Sequence, residues 1–257
     1  MVMPLFDDNS DRHCVPVVNY AIIALNVFVF VALQGLGEND KFTYAWSTVP
    51  EEIVTGQDKT TPDREVIDPE THRKVVITGL QPTPVSVYLT LLTSMFMHGS
   101  IAHIAGNMLF LWIFGDNVED NLGHGRYVIF YLLCGVLASL AHVFTTVLFK
   151  QNMLIPSLGA SGAISGVLGG YLLLFPQKRV TVLMGRVLTE VPAFVAIGMW
   201  FLFQIIAASS YLGGGSGGVA YGAHIGGFIA GMALVLPFMV GRDADAGRQR
   251  AIGRDWH

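Results

Sequence analysis

Charge is scarce in this sequence: Asp, Glu, Lys and Arg make up 13% of its 257 residues, about half the share carried by an ordinary soluble domain. So thin a supply does not cover the surface of a water-soluble fold of this length. Cysteine is scarcer, with two residues in all. Cys14 precedes the first apolar run and Cys134 lies in the middle of another, so no disulfide is expected, and neither has a neighbour at metal-ligand spacing. Basic stripes are missing too, and with a net charge of −4 no nucleic-acid partner is expected. The segment Met1 to Cys14 lacks the basic start of a signal peptide, so the apolar run after it is expected to stay in the mature protein. What is present is apolar: 52% hydrophobic residues, 29 glycines and a mean hydropathy of +0.53. Glycine is tolerated and useful in membrane helices. The composition is that of an integral membrane protein.

Charge-free runs mark the candidate spans, since a helix needs roughly 20 apolar residues to cross the hydrocarbon core. Residues 13–37 supply the first. Residues 38–74 form a polar insert, and 75–115 are uncharged again, with an interfacial first part and a second helix from Ile101 to Gly115. Tyr127 to Phe149 gives the third helix, Leu154 to Phe175 contains the fourth, Val191 to Tyr211 the fifth and Val219 to Val240 the sixth. Gly213 to Gly218 reads as a flexible connection. The fold expected is an all-α bundle of six transmembrane helices forming one domain over 1–257. Residues 1–14 and 241–257 are its tails and 38–97 an outward loop. Arg12, Arg126, Lys178, Arg179, Arg186, Arg242, Arg248, Arg250 and Arg254 cluster on one side, against Lys150 alone in the opposite short loops. The positive-inside rule then puts both termini in the cytoplasm.

Polar side chains within spans are costly, and four stand out: His103, Asn107, Ser161 and His224. His103 and Asn107 are i and i+4, on one helix face. Ser161 opens the fourth helix within Gly159-Ala160-Ser161-Gly162. From there to Phe175 is about 21 Å of helix, against a core about 30 Å thick, so Ser161 lies below the outer surface. His224, five residues into the sixth helix, is about 7 Å down, a comparable depth. Gly162, Gly166 and Gly170 form one stripe, with Ser161, Ser165 and Gly169 beside it, and Gly227 and Gly231 share the face of His224. Small residues at this spacing let backbones approach closely, as a serine must to reach a histidine base. The Ser161 N–H at a helix N-terminus, with Asn107 and His103, would supply donors for an oxyanion.

These motifs resemble those of rhomboid proteases. The H-x4-H-x3-N pattern reads here as His98, His103 and Asn107. G-x-S-G reads as Gly159 to Gly162, and A-H-x2-G-x3-G as Ala223, His224, Gly227 and Gly231. Glu119 falls where the family has a glutamate in its cytoplasmic loop. The resemblance covers most of the chain, in order. It implies a Ser161–His224 catalytic dyad, an oxyanion hole lined by Asn107 and His103, a structural His98, and a substrate gate at Trp200 and Phe203. It further implies membrane-protein substrates cut within the lipid bilayer, no cofactor, and a place in a bacterial cytoplasmic membrane with the site opening outward. Two positions depart from the family pattern. Leu89-Thr90 replaces a Trp-Arg pair, and Ser165 replaces an aromatic on which the histidine stacks.

Other readings are open to the same residues. A lone membrane serine is most often a packing residue. His98, His103 and His224 suggest a metal site, but i, i+5 spacing does not put two histidines on one face and no acidic residue accompanies them. Asn19 and Asn26 are expected to join helices by hydrogen bonds, and Glu190 to begin the fifth helix without a catalytic role. A non-catalytic relative that binds or chaperones membrane clients, and a small-solute transporter with a midplane site, are the alternative functions.

Overall fold

The computed structural model describes residues 2–67, 74–212 and 220–241, with no account of the side chains of residues 2 and 209–212. The chain opens with β1 (Val2–Asp7) and enters α1 (Val17–Phe28), which continues as a π-helical turn over Val29–Leu33. Short helices α2 (Asp40–Ala45) and α3 (Pro50–Thr55) follow, then an exposed hairpin of β2 (Arg64–Ile67) and β3 (Lys74–Ile77). A bent stretch, Val87–Phe96, includes α4 (Thr90–Thr93) and meets α5 (Ile101–Leu122) at 81°. Next come α6 (His124–Leu148), α7 (Ser161–Leu174), β4 (Arg179–Met184), β5 (Val187–Pro192), α8 (Ala193–Leu212) and α9 (Tyr221–Met239).

Each of the six apolar runs carries a helix, and they differ in length. By length and hydropathy α6 and α9 can each cross a membrane, and the bent pair of Val87–Phe96 with α5 makes a third candidate. Val17–Leu33, Ser161–Leu174 and Ala193–Ala208 are shorter apolar helices. The core is built where α7 lies against α5, α6 and α9, around Phe114, Tyr127, Phe130, Tyr131, Leu168 and Tyr171. The backbones of α7 and α9 nearly touch. A Cβ on Gly227 would overlap the Gly162 carbonyl, one on Gly231 the Gly166 carbonyl, and one on Gly169 the Phe228 carbonyl.

Four expectations need correction. The fold is mostly helical but not all-α: β1, β4 and β5 form an antiparallel sheet in that order, with Val2 opposite Met184 and Asp7 opposite Val180. Val180 and Val182 alternate into the core, and the β-branched Val-Thr-Val run suits a strand half buried in this way. Glu190 consequently lies in β5 rather than at a helix start. The second helix does not stop at Gly115 but runs to Leu122, which places Glu119 in its last turn and not in a loop. The reason is electrostatic. The Glu119 carboxylate accepts the N–H groups of Val18 and Asn19 at 3.0 and 2.6 Å, capping the first turn of α1, which has no side-chain cap of its own. A single residue, Gly123, at φ 78° turns the chain from α5 into α6, a left-handed conformation suited to glycine. Lastly, Asn19 does join helices, donating to the Leu111 carbonyl and accepting from the Tyr127 hydroxyl. Asn26 instead donates to Ile22 within its own helix. The connection at 213–218 and the tail arginines Arg242, Arg248, Arg250 and Arg254 lie outside the described residues.

Candidate active site

Ser161 is the first residue of α7, and the glycine before it explains the abrupt entry. Gly159 has φ +118°, and a Cβ there would meet the His103 ring at 2.8 Å. Its N–H donates to the Ser94 carbonyl at 2.8 Å. Ser94 is tied in turn to Thr48, whose hydroxyl contacts Ser94 Oγ at 2.9 Å and donates to the Thr90 carbonyl at 2.8 Å. Thr90, in one of the positions where a Trp-Arg pair was wanting, is fully buried. The polar insert therefore braces the turn that presents Ser161.

Across the helix contact, His224 Nε2 lies 2.8 Å from Ser161 Oγ. The glycines of α7 and α9 permit this, since the two helices are at backbone contact one turn below. Ser165 does not contact the histidine; its hydroxyl bonds the Ser161 carbonyl at 2.6 Å. An aromatic reaches His224 from another helix. The Trp200 ring lies 6.1 Å away, centroid to centroid, with 36° between planes, and Tyr221 approaches edge-on at 6.4 Å. Trp200 also packs on Phe110 and Phe228. Phe203 is not brought to the site; it is 61% exposed on the outer face of α8.

Sequence reasoning missed Gln204. On α8, one turn after Trp200, its Oε1 lies 2.8 Å from His224 Nδ1. A signal was present: within Ala193–Ala208 it is the one side chain able to form a hydrogen bond other than the Trp200 indole, and intramembrane polar groups ask for a partner.

Asn107 and His103 lie against Gly159, two residues before Ser161. Asn107 is 8% exposed, and among the described residues its Nδ2 has no hydrogen-bond partner. A buried donor left unpaired costs free energy, so an acceptor from outside the protein is the natural complement. His98 is held by its backbone: Gln34 accepts its N–H at 3.0 Å and donates to its carbonyl at 2.9 Å. Its buried ring packs edge-on against His103 at 5.1 Å.

Nothing among the described residues groups three His, Cys, Asp or Glu side chains at metal-binding distance. Chemically, a hydroxyl against an imidazole, a buried amide donor and a free helix N-terminus make a set suited to acyl transfer.

The Rhomboid domain family matches residues 86–240, which contain every residue of this site. Among curated proteins, Rhomboid protease GluP of Bacillus subtilis is 37% identical over 149 residues, covering 57% of this chain and 26% of GluP. Rhomboid protein 1, mitochondrial, of Saccharomyces cerevisiae is 30% identical over 175 residues, covering 67% of this chain and 48% of that protein. Presenilin-associated rhomboid-like protein, mitochondrial, of Rattus norvegicus is 31% identical over 163 residues, covering 60% and 42%. The chain thus spans between about a quarter and a half of the relatives it matches. With more than half of its own length inside the family domain, this chain belongs to the rhomboid family of membrane proteins.

Proposed function

We propose that this chain is an intramembrane serine endopeptidase that cuts transmembrane segments of other membrane proteins. One observation carries the reading: His224 Nε2 stands 2.8 Å from Ser161 Oγ, at the N-terminus of a buried helix. His224 takes the Ser161 hydroxyl proton as Oγ attacks the scissile carbonyl. The oxyanion accepts hydrogen bonds from Asn107 Nδ2 and the Ser161 N–H, with His103 beside them. Collapse expels the amine, which takes the proton from His224. Water then hydrolyses the acyl-enzyme by the same steps. His98 supports the loop over the site, and Trp200 lies where substrate must pass. No cofactor enters this scheme.

The same reading takes the chain as one domain over 1–257 with six spans. Both termini are cytoplasmic and the site opens on the opposite face of a bacterial cytoplasmic membrane. Single-pass or multi-pass membrane proteins are the substrates. Helical carbonyls are shielded and already bonded, so cleaved segments should carry Gly, Pro or Ser near the site.

The test is cleavage of a single-pass substrate in liposomes by the wild type and Ser161→Ala, with a serine-directed phosphonate mapped to its residue. Loss of a serine nucleophile costs on the order of 10⁶ in a known serine protease. Cleavage by the wild type only, with the label on Ser161, is expected, and chelators should leave the rate unchanged. Binding of clients without cleavage by the wild type would overturn the protease reading in favour of a non-catalytic, client-binding relative.

A further inference from the structure

We infer that Gln204 is a positioning residue that fixes the tautomer of His224, so that the working unit is Ser161–His224–Gln204 rather than a dyad. The inference rests on the Ser161–His224 reading and deepens it. A neutral imidazole has one nitrogen that donates and one that accepts. For His224 to take a proton from Ser161, its lone pair must lie on Nε2, and the ring proton must then lie on Nδ1. The group facing Nδ1 decides which tautomer is held. With its Oε1 turned to the ring at 2.8 Å, the Gln204 amide accepts from Nδ1–H and leaves the Nε2 lone pair for the hydroxyl at 2.8 Å; the productive tautomer and this amide orientation require one another.

The setting of Gln204 points the same way. It is 6% exposed, while Leu202, Phe203, Ile205 and Ile206 around it are 57%, 61%, 44% and 54% exposed. One amide is thus turned inward from a stretch of α8 whose neighbouring side chains are exposed and apolar, and in an apolar surrounding such a group is costly without a bond. Among the described residues no carboxylate competes for Nδ1: the titratable groups facing His224 are His103 from α5, His142 from α6 and Tyr221 from its own helix. Trp200, at i−4 from Gln204, packs on the same ring, so α8 both stacks on the base and orients it.

The test uses full-length protein in detergent micelles and liposomes. Gln204→Met keeps the length of the side chain but removes the acceptor, and Gln204→Glu keeps the acceptor. In a Ser–His–Asp protease, loss of the tautomer-fixing group costs about 10⁴ in kcat, and a smaller loss, about 10²-fold, is expected for a neutral amide. Gln204→Met should show that loss in kcat with KM and Tm close to the parent. In nitrogen NMR of histidine-labelled protein, the His224 resonance should shift from Nδ1–H to a tautomer mixture. Gln204→Glu should recover the rate and the Nδ1–H signature. Parent kcat and tautomer in Gln204→Met would overturn the inference. If Gln204→Met does not fold, a Gln204→Glu protein that folds but is slow, or holds mixed tautomers, overturns it equally. Ser161→Ala run alongside separates the failures: cleavage by that variant defeats the nucleophile, whereas a dead Ser161→Ala beside a fully active Gln204→Met defeats only the role of Gln204.

Discussion

The two ends of the helix bundle treat their polar residues in opposite ways. At the end where α5 stops and α6 begins, buried and half-buried polar side chains close on one another. Arg12 bonds Asp116 at 2.8 Å, Lys178 bonds Asp11 at 2.7 Å and Asn117, and Asp7 accepts from Asn117 and the Tyr171 hydroxyl, each at 2.7 Å. Asp120 accepts the N–H groups of His13 and Cys14, and Glu119 those of Val18 and Asn19. At the end that holds Ser161, the buried Nδ2 of Asn107 has no partner among the described residues. Polar groups that close on one another hold a structure, and those left open are available to something else. The difference marks the Ser161 end as the one where a buried amide beside the turn into α7 is open to an outside acceptor, without reference to any motif.

The sharpest way to break this contrast is to remove the open donor. Asn107→Ala should lower kcat by about 10²–10³, the cost of one oxyanion donor in a known serine protease. KM and Tm should barely change, because no protein partner is orphaned; a large fall in Tm would make Asn107 a packing residue. Next in size is Gly227→Val. Its added carbons meet the Gly162 carbonyl, and overpacking of this kind costs about 1–3 kcal/mol. A 1 Å displacement at the site alone loses about 10²-fold in rate, so activity should fall further than stability. Leu236→Val, at an exposed position, is the control, and wild-type cleavage by Gly227→Val would refute the close approach of α7 and α9.

The matched end should behave in reverse. Glu119→Gln turns an amide donor on N–H groups that need acceptors, and leaving a buried donor unsatisfied costs about 1–3 kcal/mol. Melting temperature should drop while kcat per phosphonate-titrated site stays at the parent value. The smallest effect concerns Asp7. Burial, with Asp116 nearby, pushes its carboxyl from 3.8 up to about 7, against the opposing Tyr171 hydrogen bond and Lys178. A carboxyl raised in the folded state favours folding below its unfolded value, and that advantage is lost as pH rises through the folded one. Asp7→Asn should therefore melt about 1–2 °C above the parent at pH 8, with the gain gone below about pH 4. A gain constant with pH would place its origin elsewhere.

Much of the site was legible because membrane spans make polar residues conspicuous. Ser161 and His224 could be paired by depth, and Gly162, Gly227 and Gly231 by their stripes. Gln204 was overlooked because an uncharged amide in an apolar run breaks no charge count, though its helical offset from Trp200 put it on the same face. The sheet was hidden for a different reason. Strands β4 and β5 follow Pro176 and Lys178, include Arg179 and Glu190 and turn at Arg186, charges that read as a connection and a helix start. Their partner lies in the first residues of the chain, and no local pattern reports a pairing so distant. The extension of α5 to Leu122 was masked by Asp116, Glu119 and Asp120, whose charges signal an end to a span but answer donors on α1 and the segment before it.

That distant pairing sets an order of events. Residues Val2–Asp7 leave the ribosome early, yet the strand they join, Arg179–Met184, follows only after α1 to α7 have been made. At 5–20 residues per second the wait is about 10–35 s. The seam between β1 and β4 is therefore closed late, and it closes at the root of α8, the helix that carries Trp200 and Gln204. The strand that completes the footing of the histidine's neighbouring helix is thus made well before the strand it pairs with.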